Sequence, residues 1–260
     1  MLCSLSSSIR QTVNRKMSFK FLENNYTKGS TEPEKKPGVA RIFSFQLCPY
    51  AERVLLVASA KSFNFDLVNV DLANKPEWLF EKNKFGLVPV LELEDGNLLH
   101  ESLIIADYID EATDADHKLH PQNLFEKYRQ KLFVQEFATA YPQFIAKLKS
   151  GSDDIDVTKE VENFIRFFES ELSQRNTRFV GSNESPQMVD YMIWPFVERL
   201  PAVISLGTQI KNWEQHLSEN APLILKYMQA MKEDPAVKQN LFSPDTHIDF
   251  LLSVRERFRK

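Results

Sequence analysis

Hydrophobic and polar residues change rhythm twice along this chain. Residues 39–45 form a run rich in β-branched and aromatic side chains that predicts a buried strand, and residues 49–63 carry the spacing of a helix. Residues 66–71 (Asp-Leu-Val-Asn-Val-Asp) alternate as a second strand, so the opening unit is β-α-β with a parallel pair. Residues 76–83 predict a short helix with Pro76 in its first turn. Residues 88–93 and 97–100 make two short strands joined through Asp95-Gly96, a hairpin signal. Residues 101–112 then set Ile105, Tyr108, Ile109 and Ala112 on one helical face. Beyond Pro121 strand signals vanish. Val161, Phe164, Phe168 and Leu172 make one stripe and Ile224, Tyr227, Met228 and Met231 another, which predicts a helical bundle. The expected organisation is a disordered extension over 1–38, an α/β domain over 39–117 and an all-helical domain over 122–260, with the polar stretch 113–122 as linker.

Composition narrows the chemistry. The chain has 260 residues and a formal charge of -4, which gives no electrostatic reason to expect nucleic acid, and no apolar run approaches a membrane span. Its seven glycines, at 29, 38, 86, 96, 151, 181 and 207, are too far apart for a Gly-rich phosphate cradle. Two cysteines, Cys3 and Cys48, make neither a zinc knuckle nor a disulfide framework, so no metal is expected, and such a composition suits a reducing, cytoplasmic setting. The first 22 residues lack Asp and Glu and carry Arg and Ser, the features of a mitochondrial transit peptide. The plainer alternative is a disordered tail ahead of a second start at Met17.

Cys48 stands in Leu47-Cys48-Pro49-Tyr50-Ala51-Glu52-Arg53, between the first strand and the first helix. Unpaired N–H groups and the helix dipole at that position favour a thiolate and are expected to lower the thiol pKa. The alternative is a buried, inert small hydrophobe. Ala51 occupies the place of the second sulfur in a Cys-x-x-Cys motif, so a mixed disulfide on Cys48 must be resolved by an external thiol, most plausibly glutathione. Val88-Pro89 opens a strand after Gly86, which suggests a cis bond that leaves the Val88 backbone facing outward; a trans proline at a strand edge is the commoner arrangement. Ser102 reads either as an N-cap or as part of a carboxylate site at a helix N-terminus, with Glu101 offering its charge to an ammonium. Lys75 is either a surface lysine or a partner for a second carboxylate.

Together with Asn74-Lys75-Pro76-Glu77-Trp78, Phe85-Gly86-Leu87-Val88-Pro89-Val90, His100-Glu101-Ser102 and Asp190-Tyr191-Met192-Ile193-Trp194-Pro195, these segments resemble the omega class of the glutathione transferases, from about residue 28 to the end. The resemblance implies a thioredoxin-like glutathione-binding domain followed by an all-helical domain, and a homodimer. It implies Cys48 as nucleophile and glutathione held by Tyr50, Leu72, Lys75, Val88, Pro89, Glu101 and Ser102. Lys75 would meet the glycyl carboxylate, Val88 the cysteinyl backbone, and Glu101 with Ser102 the γ-glutamyl end. It places Tyr50, Arg199 and Tyr227 in the second-substrate pocket, although Tyr227 also lies on an apolar stripe that suits a core role. Leu47 and Tyr50 replace residues that are often Phe in the family, and Gln187 replaces the Ser of a helix-capping box ahead of Asp190. Some insect members are pyrimidodiazepine synthases; others look like dehydroascorbate reductases and thiol transferases, and the sequence does not choose between them. The rival expectation is a noncatalytic binding module on the same fold, or a protein similar to the intracellular chloride channels.

Overall fold

The computed structural model describes residues 25–113, 117–141, 145, 147–148 and 155–258. Cys3, Met17 and the transit-peptide reading fall outside the described residues.

β1 (Ala40–Ser44), α1 (Pro49–Ala60) and β2 (Phe65–Asn69) form the expected β-α-β unit, with Ala40 opposite Phe65 and Ser44 opposite Asn69 in a parallel pair. After the short α2 (Leu79–Lys82), β3 (Val90–Glu92) and β4 (Leu98–His100) make a hairpin that turns at Gly96, where φ is +89°. α3 (Ser102–Ala112) follows directly. The sheet order is β2-β1-β3-β4, with β3 antiparallel to both neighbours. β1, β2 and β4 therefore end at the same edge of the sheet from which β3 starts. Residues 45–48, 70–75, 86–89 and 101–102 all gather there, and these are the segments the sequence singled out.

β1 serves both faces of the sheet. Ala40 and Ile42 join α1 and α3 in a core that continues into the helical half, whereas Phe43 and Phe45 join Val68, Val70, Trp78 and Val90 in a second core on the opposite face. The buried face of α3 is Ser102, Ile105, Ala106, Ile109 and Asp110; Tyr108, expected on it, packs half-buried against the same core, and Ala112 is exposed. The same face buries Asp110, which takes a hydrogen bond from the Leu119 N–H and an ion pair from Lys61 at 3.2 Å.

Residues 25–38 depart from the expected disordered extension. Tyr26 forms a parallel bridge with Val70, and the buried Arg41 guanidinium donates to the Pro33 and Glu34 carbonyls at 3.0 and 2.6 Å. This strand-like strap completes the β2 edge of the sheet. Its polarity concealed it, because its contacts are made by backbone and by charged side chains rather than by an apolar face.

Among the described residues the helical half holds α4 (Leu124–Ala140), α5 (Thr158–Arg175), α6 (Met188–Glu198), α7 (Leu200–Gly207), α8 (Trp213–Asn220), α9 (Pro222–Glu233), α10 (Pro235–Asn240) and α11 (Pro244–Phe258). Both expected stripes, on α5 and α9, are buried. Every residue of α6 is buried, so this helix is the axis of the half and packs directly on α1. Its N-terminus resolves the question raised by Gln187: the Asp190 carboxylate accepts from the N–H groups of Gln187, Val180 and Gly181 at 2.9, 2.8 and 3.1 Å. Gly181 must be glycine, since a Cβ there would stand 2.5 Å from that of Gln187.

Candidate active site

Cys48 is the N-cap of α1, with extended backbone and with Pro49 at the first helical position, where a missing N–H costs nothing. Its carbonyl accepts from the Glu52 N–H at 3.0 Å. The side chain opens on a cleft of about 250 Å³ whose walls are Phe45, Leu47, Pro49, Tyr50, Leu72, Tyr141, Ile145, Phe196 and Phe250. Two opposing effects act on the sulfur. The Ala51 and Tyr50 N–H groups and the Arg199 charge favour the thiolate, as expected for a helix N-terminus, but burial pushes the Cys48 thiol up and outweighs them. The expected lowered pKa is thus corrected. The reason is tertiary: Tyr141, Ile145, Phe196 and Phe250, all from the helical half, roof the cleft.

The remaining segments stand around the same edge. The Val88–Pro89 bond is cis. Asn83 sets up the approach to it, donating to the Leu87 carbonyl at 3.1 Å and accepting from the Phe85 N–H at 3.0 Å. Gly86 turns the chain with φ +59°, and a Cβ there would lie 2.7 Å from the Phe80 ring. Glu101 is exposed and holds φ +69°, a conformation that costs a non-glycine residue on the order of 1 kcal/mol and that tends to persist where geometry serves function. Ser102 is buried, and its hydroxyl accepts from Arg53 Nη1 at 3.3 Å. Lys75 is half-exposed, with Nζ 5.9 Å from the Phe80 ring centre. Lys75, Val88 and Glu101 lie at the same end of the sheet as Cys48, in the segments after β2, before β3 and after β4, and none of the three lines the cleft.

Residues 47–112 match the family described as "Glutathione S-transferase, N-terminal domain". Glutathione S-transferase omega-1 of Rattus norvegicus is 36% identical over 228 residues, which span 86% of this chain and 90% of that protein. The chain belongs to the omega-class glutathione transferases. Pyrimidodiazepine synthase of Drosophila melanogaster is 35% identical over 231 residues, again 86% of this chain and 90% of the relative. Glutathione transferase Omega 1C from Trametes versicolor superimposes with a TM-score of 0.70 at 16% identity, covering 86% of this chain and 99% of that one, which shows the shared fold.

Two residues that the omega-class resemblance put in the second-substrate pocket lie elsewhere. Tyr227 is buried among α5 and α9, its ring 5.4 Å from that of Phe168 and beside Asp190, so its core role prevails. Arg199 is buried beneath the site and is absent from the cleft walls. Its Nη1 donates to Glu52 Oε2 at 2.7 Å and to the Pro195 carbonyl, and its Nη2 to the Leu47 carbonyl at 3.3 Å. Tyr50 lines the cleft as expected.

Sequence reasoning missed the charges that the omega-class site buries. Arg53 donates to the Met192 carbonyl at 2.7 Å and lies over the Phe196 ring at 4.7 Å, so one side chain joins α1, α3 and α6. Glu52, Glu198 and Arg199 form a buried triad with two carboxylates against one cation. Burial and the neighbouring Glu198 push the Glu52 carboxyl up to about 8, so this group holds a proton at neutral pH. His247 of α11 sits 3.3 Å from Glu198, and burial followed by the Arg199 charge pushes it down to about 3. The only sequence signal for any of these was Glu52-Arg53 placed just inside an apolar helix.

The two shifts act on stability in opposite directions. His247 titrates at 6.5 when unfolded and at about 3 when folded, so its contribution is complete above 6.5 and is lost as pH falls toward 3. Glu52 titrates at 4.5 unfolded and about 8 folded, so its contribution is complete below 4.5 and is lost as pH rises toward 8. The His247→Phe variant is therefore expected to lose less stability on acidification: between about pH 6.5 and 5, urea unfolding should show a decline smaller than the parent's by about 2 kcal/mol. Equal declines would mean that His247 is not held uncharged.

Proposed function

We propose that this chain is a glutathione-dependent thiol transferase and reductase in which Cys48 is the nucleophile. The observation that carries this reading is a sulfur at a helix N-terminus opening on an apolar cleft that Leu72 helps to line; Lys75, Val88, Pro89, Glu101 and Ser102, from loops at the same end of the sheet, are proposed to hold glutathione beside it. Solved relatives include a rice enzyme described as a complex with glutathione. In the proposed reaction the Cys48 thiolate attacks the glutathionyl sulfur of a mixed disulfide, that S–S bond breaks, and the substrate thiolate leaves and takes a proton. A second glutathione thiolate then attacks the glutathionyl sulfur on Cys48, releasing glutathione disulfide and restoring the Cys48 thiolate. Reduction of dehydroascorbate or of a pterin precursor would draw its two electrons from two glutathione thiols, which leave together as glutathione disulfide.

The raised thiol pKa slows this chemistry without forbidding it. Each unit of upward shift cuts the thiolate fraction at neutral pH about tenfold, but it raises the nucleophilicity of each thiolate about threefold, a net loss of roughly three- to fourfold. The test is mass spectrometry of the chain after incubation with oxidised glutathione. One glutathionyl group is expected, mapped to the Cys48 peptide and removed by reduced glutathione; an unmodified Cys48 would refute the assignment. The thiol's burial is also what favours the alternative, a noncatalytic binding module, and that reading requires Cys48 to stay unmodified while glutathione still binds.

We also propose that the protein works as a homodimer. Leu124, Tyr128 and Leu132 form an exposed apolar stripe on α4, joined by Phe125 and by Ile104 of α3. Lys131 ties α4 to Asp107 of α3 at 2.5 Å, and His120, in the segment before α4, meets the same carboxylate at 2.8 Å. An apolar face of this kind on a folded chain calls for a covering surface. Light scattering should report a dimer for the parent and a monomer for Phe125→Asp with Leu132→Asp. A parent that is monomeric at tens of micromolar would exclude the dimer.

A further inference from the structure

Arg199 approaches Cys48 from below and from the other half of the molecule. It lies at the junction of α6 and α7, and its guanidinium reaches the Leu47 carbonyl at 3.3 Å and Oε2 of the Glu52 carboxyl group at 2.7 Å. Leu47 is the residue before Cys48, and Glu52 lies four after it, one helical turn on. A single rigid fork thus grips the turn that presents the sulfur on both sides. The Nη1 that meets Glu52 also donates to the Pro195 carbonyl and, at 3.4 Å, to Glu198, so α6 holds that side of the guanidinium in place. Arg199 is buried, and a planar cation with several fixed partners loses little freedom per bond.

We infer that Arg199 is a positioning residue for Cys48, fixing the 47–52 turn and holding a positive charge under its sulfur, and not a contact for the second substrate. The inference rests on the reading of Cys48 as nucleophile. The groups facing this pair are Tyr50, Glu52 and Arg53 of α1, Tyr141 at the end of α4, Glu198 of α6 and His247 of α11. Glu52 works against the thiolate when ionised, His247 is uncharged at neutral pH, and Arg199 is the charge that works for the thiolate from outside α1. A substrate contact would behave differently: its loss would weaken binding of the second substrate and leave the thiol's titration untouched.

The test needs no turnover. The rate of iodoacetamide alkylation at Cys48, read by peptide mass so that Cys3 is kept separate, is followed against pH in the full chain. Arg199→Met is expected to move the inflection upward and slow alkylation near neutrality about tenfold or more. A folded Arg199→Met chain with the parent's inflection would overturn the inference. Should that variant fail to fold, Arg199→Lys and Glu52→Gln decide it. The lysine keeps the charge without the fork, so the parent's inflection with reduced kcat in glutathione-dependent reduction supports the inference; unchanged kcat overturns it. Glu52→Gln should alkylate faster than the parent above about pH 8, where the parent's Glu52 is ionised, and equal rates overturn it. If Cys48 proves dispensable for reduction, the proposed function fails, while the alkylation profiles still report whether Arg199 controls the thiol.

Discussion

Replacing Cys48 by alanine is expected to lower kcat/KM for glutathione-dependent reduction by at least about a thousandfold, the scale on which loss of a covalent nucleophile acts. Affinity for glutathione should change less than about twofold, because the groups proposed to hold it are Lys75, Val88, Glu101 and Ser102, which the substitution leaves in place. Steady-state assays with dehydroascorbate and with a glutathionylated disulfide measure the first, and calorimetry the second. In the parent, burial pushes the Cys48 thiol up, so the rate should climb with pH past the value at which a free cysteine thiol assayed alongside has levelled off. A Cys48→Ala chain that keeps full reductase activity would remove the nucleophile from the site.

Asp190→Ala is expected to be the most destabilising single change. Its carboxylate is fully buried and satisfies three N–H groups, those of Val180, Gly181 and Gln187, that meet only because it binds them. Burial outweighs those three donors and pushes the carboxyl up to about 6, so its ionised form is maintained at neutral pH by the donors themselves. Truncation would orphan all three, the Val180 N–H in the interior and those of Gly181 and Gln187 where they are half-buried. The loss should be about 3–5 kcal/mol, a large share of the 5–15 kcal/mol that holds a typical protein folded. Urea unfolding measures it, and Asp190→Asn, which keeps one acceptor oxygen, should lose less. A loss under about 1 kcal/mol would mean that the 180–187 loop finds other partners.

What the sequence made legible was local. β1, α1 and β2 follow from period and residue type, Cys48 at the head of α1 from its place beside Pro49, and the turn at Val88–Pro89 from a proline where a strand should begin. Element ends came out one to three residues long, since α1 closes at Ala60 rather than at residue 63 and β3 opens at Val90 rather than at 88. What escaped depends on residues far apart in the chain. Phe250 roofs a cleft floored by Phe45, and their rings lie 5.6 Å apart although 205 positions separate them. Arg199 matched a pocket residue by alignment of motifs, yet a guanidinium next to Glu52 gains more from that partner than from an apolar cleft. Nothing in period or composition distinguishes those two fates. The strap over 25–38 escaped because its bonds run through backbone groups and charged side chains, which no apolar pattern advertises.

The roof over Cys48 belongs to the helical half, whereas Lys75, Val88, Glu101 and Ser102 belong to the α/β half. Reactivity of the sulfur and the proposed recognition of glutathione are therefore inherited from different stretches of the molecule and can drift independently. A hybrid that joins residues 25–113 to another member's helices should greet the same tripeptide, yet carry a sulfur retuned to a different temper.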